Sequence, residues 1–136
     1  MSRPRSYTAV TRELRVSVQP FFLEEQSDPD RSRYVWAYRV EIANEGSHTV
    51  QLLKRTWLIT DARGRTQRVH GDGVVGEQPV LRPGDEFRYT SGTPLSTPSG
   101  IMRGLYHMVD LDTGEAFDVV IPTFSLDSPH APGAVH

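Results

Sequence analysis

The sequence predicts an all-β protein, an antiparallel sandwich of about seven strands of the immunoglobulin or fibronectin type III-like kind. Apolar residues fall on every second position in short runs along the chain, and turn chemistry interrupts those runs every ten residues or so. No segment carries the 3.6-residue apolar period of a helix. A chain of 136 residues is one domain's worth, and at that size folding hides roughly two thirds of the surface exposed by the unfolded chain. The expected organisation is a single domain over residues 1–126 and a polar, proline-rich flexible tail over 127–136.

The first strand is predicted from Val10, where Val10, Leu14, Val16 and Val18 alternate with polar residues. Phe21 to Arg33, acidic and carrying Asp28-Pro29-Asp30, reads as an exposed loop. Tyr34, Trp36, Tyr38, Val40 and Ile42 give the clearest strand, and Asn44-Glu45-Gly46-Ser47 the turn after it. In the next run, Val50 to Thr60, the apolar parity changes between Leu52-Leu53 and Trp57-Ile59, which predicts a bulge near Lys54. Asp61 to Gly64 makes a hairpin turn into Thr66 to His70. The glycines and prolines from Gly71 to Gly84 exclude a helix there, and Phe87 and Tyr89 mark another strand. A loop is expected from Gly92 to Gly100. Ile101 to Leu111 then turns at Asp112-Thr113-Gly114 into Phe117, Val119 and Ile121.

Composition removes whole classes of function. Seventeen acids against fifteen bases leave a net charge of −2, so no global field gathers nucleic acid or anionic lipid. Without cysteine there is no disulfide, no thiolate metal site and no cysteine nucleophile. No apolar run approaches the ~20 residues of a membrane helix, so membrane insertion is not expected and the cytoplasm is the default location.

Gly71, Gly73 and Gly76 have the G-x-G-x-x-G spacing of dinucleotide-binding loops. Pro79, Pro83 and Gly84 follow at once, so the helix that would hold a pyrophosphate cannot form. What survives is a loop whose backbone N–H groups could converge on an anion, set against glycines that simply allow a tight crossover between sheets. Asp112-Thr113-Gly114 matches the triplet of retroviral-type aspartic proteases, yet it lies where hairpin chemistry is wanted. Asp110, Asp112 and Glu115 depart from calcium-loop spacing and read as turn acids. The five histidines show no paired spacing, and His70 beside Asp72 is the most plausible local metal pair, a weak divalent-cation site rather than a transport or catalytic centre. Ser91, Ser96 and Ser99 lack a nucleophile elbow.

A more specific pattern runs from Val69-His70-Gly71-Asp72-Gly73-Val74-Val75-Gly76-Glu77-Gln78-Pro79 through Leu81, Pro83-Gly84 and Tyr89-Thr90-Ser91-Gly92. It continues in Thr97-Pro98, Gly100, Met102, Gly104, Tyr106, Met108, Phe117 and Ile121 to Leu126. From about Tyr7 to Leu126 the chain resembles the ApaG family. The resemblance implies a fibronectin-type-III-like sandwich and brings no catalytic residues. It also implies an indirect link to cobalt and magnesium homeostasis, because a chain without membrane segments cannot itself move an ion. The expected function is a non-enzymatic interaction module without a resident cofactor. Its binding surface is expected at Gly71, Asp72, Gly73, Gly76, Ser91, Gly92, Thr97, Gly100 and Met102. The partner would be another protein, or a second copy joined through sheet edges; the alternative is a nucleotide or pyrophosphate binder using the glycine loop.

Overall fold

Nine strands, rather than seven, emerge in the computed structural model, which describes residues 5–131. They are β1 (Tyr7–Thr11), β2 (Leu14–Phe22), β3 (Tyr34–Asn44), β4 (Val50–Asp61), β5 (Thr66–Asp72), β6 (Val80–Leu81), β7 (Glu86–Leu95), β8 (Ser99–Asp110) and β9 (Ala116–Asp127). One sheet runs β1-β2-β3-β7. The other runs β5-β4-β8-β9, with the short β6 also paired to β4. Every pairing is antiparallel.

Alternation buries one face of each sheet. Leu14, Val16, Val18, Trp36, Val40 and Ile42 come in from the first sheet, and Leu52, Trp57, Met102, Tyr106, Ile121 and Phe124 from the second. Each such side chain contributes about 1.5–3 kcal/mol on leaving water. Trp57 lies edge-on to both Tyr38 and Phe124, with centroids at 5.3 and 6.0 Å, which joins the two layers at mid-height.

Three sequence expectations are corrected. The run expected as one strand from Val10 breaks at Arg12 and Glu13, both with positive φ (47° and 64°). The chain reverses there, leaving Val10 60% exposed while Leu14 is buried. The expected loop from Phe21 begins only at Leu23, because Phe21 and Phe22 still pair with β3, and two 3₁₀ turns fill Glu24–Gln26 and Pro29–Arg31. The expected loop from Gly92 to Gly100 shrinks to residues 96–98. Gly92 and Pro94 look like breakers, but β7 is an edge strand, where a missing N–H on the open side costs no ladder bond.

The bulge forms where expected, with the β4–β8 register shifting between Leu52 and Lys54. At the chain's end, Asp127 closes β9, Ser128 is buried, and His130 packs its ring against Phe22 and Tyr34. The remainder of the expected tail, 132–136, lies outside the described residues.

Candidate functional site

A two-sheet sandwich has two flanks, and here they differ. On one, β9 packs against both β1 and β2. The Val120 N–H donates to Thr11 Oγ1 at 3.1 Å, Arg12 pairs with Glu115, and Tyr7 packs on Phe124. On the other flank lie the edges of β5 and β7, and β7 pairs with β3 alone.

Backbone alternation decides which β7 groups are unpartnered. Asn44 faces β7, its N–H donating to Asp85 O at 2.9 Å and its carbonyl accepting from Gly84 N–H at 2.8 Å. Every second residue back along β3 therefore also faces β7, which places Phe87, Tyr89, Ser91 and Thr93 in the hydrogen-bonded pairs. Arg88, Thr90 and Gly92 point their N–H and C=O groups outward, with no partner among the described residues. From Tyr89 to Leu95 this edge carries no charged side chain, the usual guard against strand addition.

Opposite β7 stands Arg55. The β4 bulge turns it toward the space between the sheets, where its Nη1 donates to the carbonyls of Asp72 at 2.9 Å and Gly73 at 2.8 Å. A Cβ on Gly71 would sit only 3.1 Å from that guanidinium, so Gly71 gives it room. No carboxylate lies within 4.0 Å of it among the described residues. The hydroxyls of Tyr89 and Tyr106 hydrogen-bond to each other between the sheets. Burial pushes the ionisation of Tyr38, Tyr89 and Tyr106 upward, and Arg55 opposes the shift at all three. They remain neutral hydroxyls beside a cation.

The glycine loop is a tight turn rather than an anion cradle. Gly73 N–H donates to Leu53 O, and Val74 and Glu77 exchange both their backbone hydrogen bonds. Three donors that a phosphate would need are thus engaged. Gly73 has φ +61°, and a Cβ there would meet Glu77 O at 2.2 Å, while Gly76 has φ +81° with open space around it. Val74 is fully buried. Its neighbour Val75 takes φ +45°, a costly conformation for a β-branched residue, and leaves its side chain 54% exposed at the tip.

The expected binding residues therefore divide. Gly71, Asp72, Gly73 and Gly76 lie on the β5 side of the open flank, and Ser91 and Gly92 on the β7 side. Thr97, Gly100 and Met102 do not belong to the surface. Met102 is fully buried in the core, Gly100 packs where a Cβ would be 2.7 Å from Thr60 O, and the Thr97 hydroxyl ties Ala62 N–H to Ser99 O. Gly100 sits in a loop by sequence punctuation and in a ladder by structure, whereas Thr97 stays in the short connection 96–98. Arg55 and Val75 were missed; the parity change at Lys54 was the available signal for Arg55, since it turns the following residues over. The His70 ring is hydrogen-bonded to Thr56 on β4 rather than to Asp72, its neighbour in sequence.

The fold and the site define a two-sheet antiparallel β-sandwich with one stapled flank and one open one. A family model described as the ApaG domain matches residues 24–110. An ApaG protein of Paramagnetospirillum magneticum is 65% identical over 124 residues, covering 91% of this chain and 95% of that one. One from Rhodospirillum centenum is 64% identical over the same length, with the same coverage. A crystal structure of the ApaA protein from Bordetella pertussis superposes with a TM-score of 0.82 at 52% identity, covering 87% of this chain and 95% of that one. The chain belongs to the ApaG family.

Proposed function

We propose that this chain is a non-enzymatic protein-interaction module that receives an extended segment of a partner protein along the outer edge of β7. The observation carrying the reading is that edge: Arg88, Thr90 and Gly92 offer outward N–H and C=O groups in a stretch without charged guards beyond Arg88. Two neighbours give the partner segment its chemistry. Arg55 lacks an anionic partner among the described residues and favours a carboxylate. Val75 offers an apolar side chain held in a strained conformation at the adjacent loop tip.

The alternative, nucleotide or pyrophosphate binding at Gly71 to Gly76, draws support from Arg55 but not from the loop, whose donors at Gly73, Val74 and Glu77 are already engaged. Under the interaction reading, the cobalt and magnesium association of the family is an indirect effect relayed through a partner in the cytoplasm. Among the described residues, no helix is long and apolar enough to cross a membrane.

The test compares the full chain with Thr90→Pro, which removes one outward N–H while leaving the β3 pairing intact. A protein captured from extract by the wild type and lost by Thr90→Pro, at unchanged thermal midpoint, supports strand addition. Equal capture by both rejects it. Sedimentation of the same two proteins identifies a second copy as occupant if only the wild type dimerises. ATP or pyrophosphate binding that Arg55→Ala removes and Thr90→Pro spares favours the alternative.

A further inference from the structure

On the outer face of the second sheet, away from the open flank's interior, two histidines converge on one oxygen. His70 on β5 places Nδ1 2.8 Å from Thr56 Oγ1, and His107 on β8 places Nε2 2.7 Å from the same atom. The rings lie 5.7 Å apart, centroid to centroid, across the β4 strand that separates them. Behind His107, its Nδ1 meets Asp118 Oδ1 at 2.7 Å, a contact made by direct cross-strand partners of β8 and β9.

The protons in this row can be counted. A carboxylate accepts only, so His107 Nδ1–H donates to Asp118 and neutral His107 presents a lone pair at Nε2. Thr56 has one hydroxyl proton, which goes to that lone pair, and its oxygen then accepts from His70 Nδ1–H. Moving that proton to His70 Nε2, a tautomer change, turns the second ring nitrogen toward the same point as another lone pair.

We propose that His70 and His107 together bind a divalent transition-metal ion of the zinc or nickel class. Asp118 is the carboxylate that orients His107, and water completes the coordination. The arrangement has what such a site requires. Two imidazole nitrogens converge on Thr56 Oγ1, so an ion bound between them replaces their hydrogen bonds to that hydroxyl, and one ligand is backed by a carboxylate that fixes its tautomer and strengthens its basicity. Nitrogen ligands suit zinc, nickel and copper, whereas magnesium favours oxygen.

Two competing readings fail on the same kind of count. Thr56, His107 and Asp118 stand in the order nucleophile, base and orienting acid. However, β4 is paired on both sides at Thr56, with His70 and with Leu105, so the backbone donors an oxyanion would need are held in ladders. Among the described residues, one group of three ligating side chains lies within 4.8 Å: His48, Asp110 and Asp112. Its carboxylates are held by hydrogen bonds from backbone N–H groups of the turns, which a metal would have to break. Asp110 accepts from His48 at 2.6 Å and from the N–H groups of Asp112 and Thr113, and Asp112 accepts from Thr49 N–H. That group clamps two turns together.

The experiment is a calorimetric titration of the tag-free full chain with zinc chloride in a non-coordinating buffer, with magnesium chloride as a control. One saturable zinc site per chain is expected, with no comparable magnesium site. His70→Ala and His107→Ala should each weaken it at least tenfold, and Asp118→Asn by about tenfold or more, with far-ultraviolet dichroism unchanged. His48→Ala should leave it intact, and ring-nitrogen resonances should move at His70 and His107. The proposal is overturned by the absence of saturable zinc binding, by full affinity in His107→Ala, or by loss of binding in His48→Ala.

Discussion

Gly73 and Gly76 share a motif but bear different loads. An alanine at Gly73 needs a left-handed backbone and places its Cβ in the Glu77 carbonyl, whereas at Gly76 only the backbone conformation is unfavourable. Gly73→Ala should cost more than about 2 kcal/mol and Gly76→Ala about 1. Urea unfolding will show whether the order holds. Loss of ligand binding in a Gly73 variant therefore reports on folding before it reports on a ligand. A second residue-scale test concerns pH. His48 is held above its ordinary 6.5, first by its hydrogen bond to Asp110, and Asp110 is held below 3.8, first by the same bond. The histidine's contribution is complete below 6.5 and fades as pH rises through its elevated folded value. The aspartate's is complete above 3.8 and fades as pH falls through its depressed one. His48→Ala should therefore match the wild type most closely in alkaline buffer and fall furthest behind near pH 5 to 6. A constant difference in urea midpoint across that range would contradict the assignment. At this scale the sequence was misleading about His70. Its nearest acid in the chain is Asp72, but its bonded neighbour is Thr56 and beyond that His107, a relation that appears only once β5, β4 and β8 are in register.

The bulge in β4 is the element on which both faces of the second sheet depend. Before it, Leu52 points inward; after it, Arg55, Trp57 and Ile59 do, and Thr56 is turned out beneath the histidines. Deleting Leu53 would remove the extra residue and reverse one half of the strand relative to the other, because a strand's side chains alternate with period two. The deletion should abolish the cooperative thermal transition, whereas Leu53→Ala should retain it. A folded deletion variant with native amide dispersion would show that β4 can re-register, against this account. The bulge was legible because the change of parity is written in the apolar pattern itself. The break between β1 and β2 was not, since Arg12 and Glu13 turn with positive φ and no glycine or proline announces it. The extent of β7 was hidden for the opposite reason: Gly92 and Pro94 advertise a loop, and only an edge position makes them compatible with a strand.

Considered whole, the molecule is asymmetric about its core. One flank is held by Thr11 with Val120 and Arg12 with Glu115; the other leaves the edge of β7 without a backbone partner among the described residues. Hydrogen exchange should read that asymmetry directly. Amides of Tyr89 and Ser91, which face β3, should be protected, and those of Arg88, Thr90 and Gly92 should exchange orders of magnitude faster. Uniform protection along β7 would mean that its edge is already occupied in solution. The sandwich class was readable because period-two burial survives in nearly every strand. The open flank was only half readable: its glycines stand out in sequence, but Arg55 joins them through a fold that no short-range pattern encodes.

The stapled flank also decides where this domain can be joined to others. Its first strand and its last lie side by side there, with Tyr7 and Phe124 in ring contact at 6.1 Å. A domain whose first and last strands meet on one side can be spliced into a loop of a larger host, or circularly permuted and reopened at the Asp61–Gly64 hairpin, without disturbing the opposite edge. The architecture thus suits a portable cassette, attached by the side that is closed.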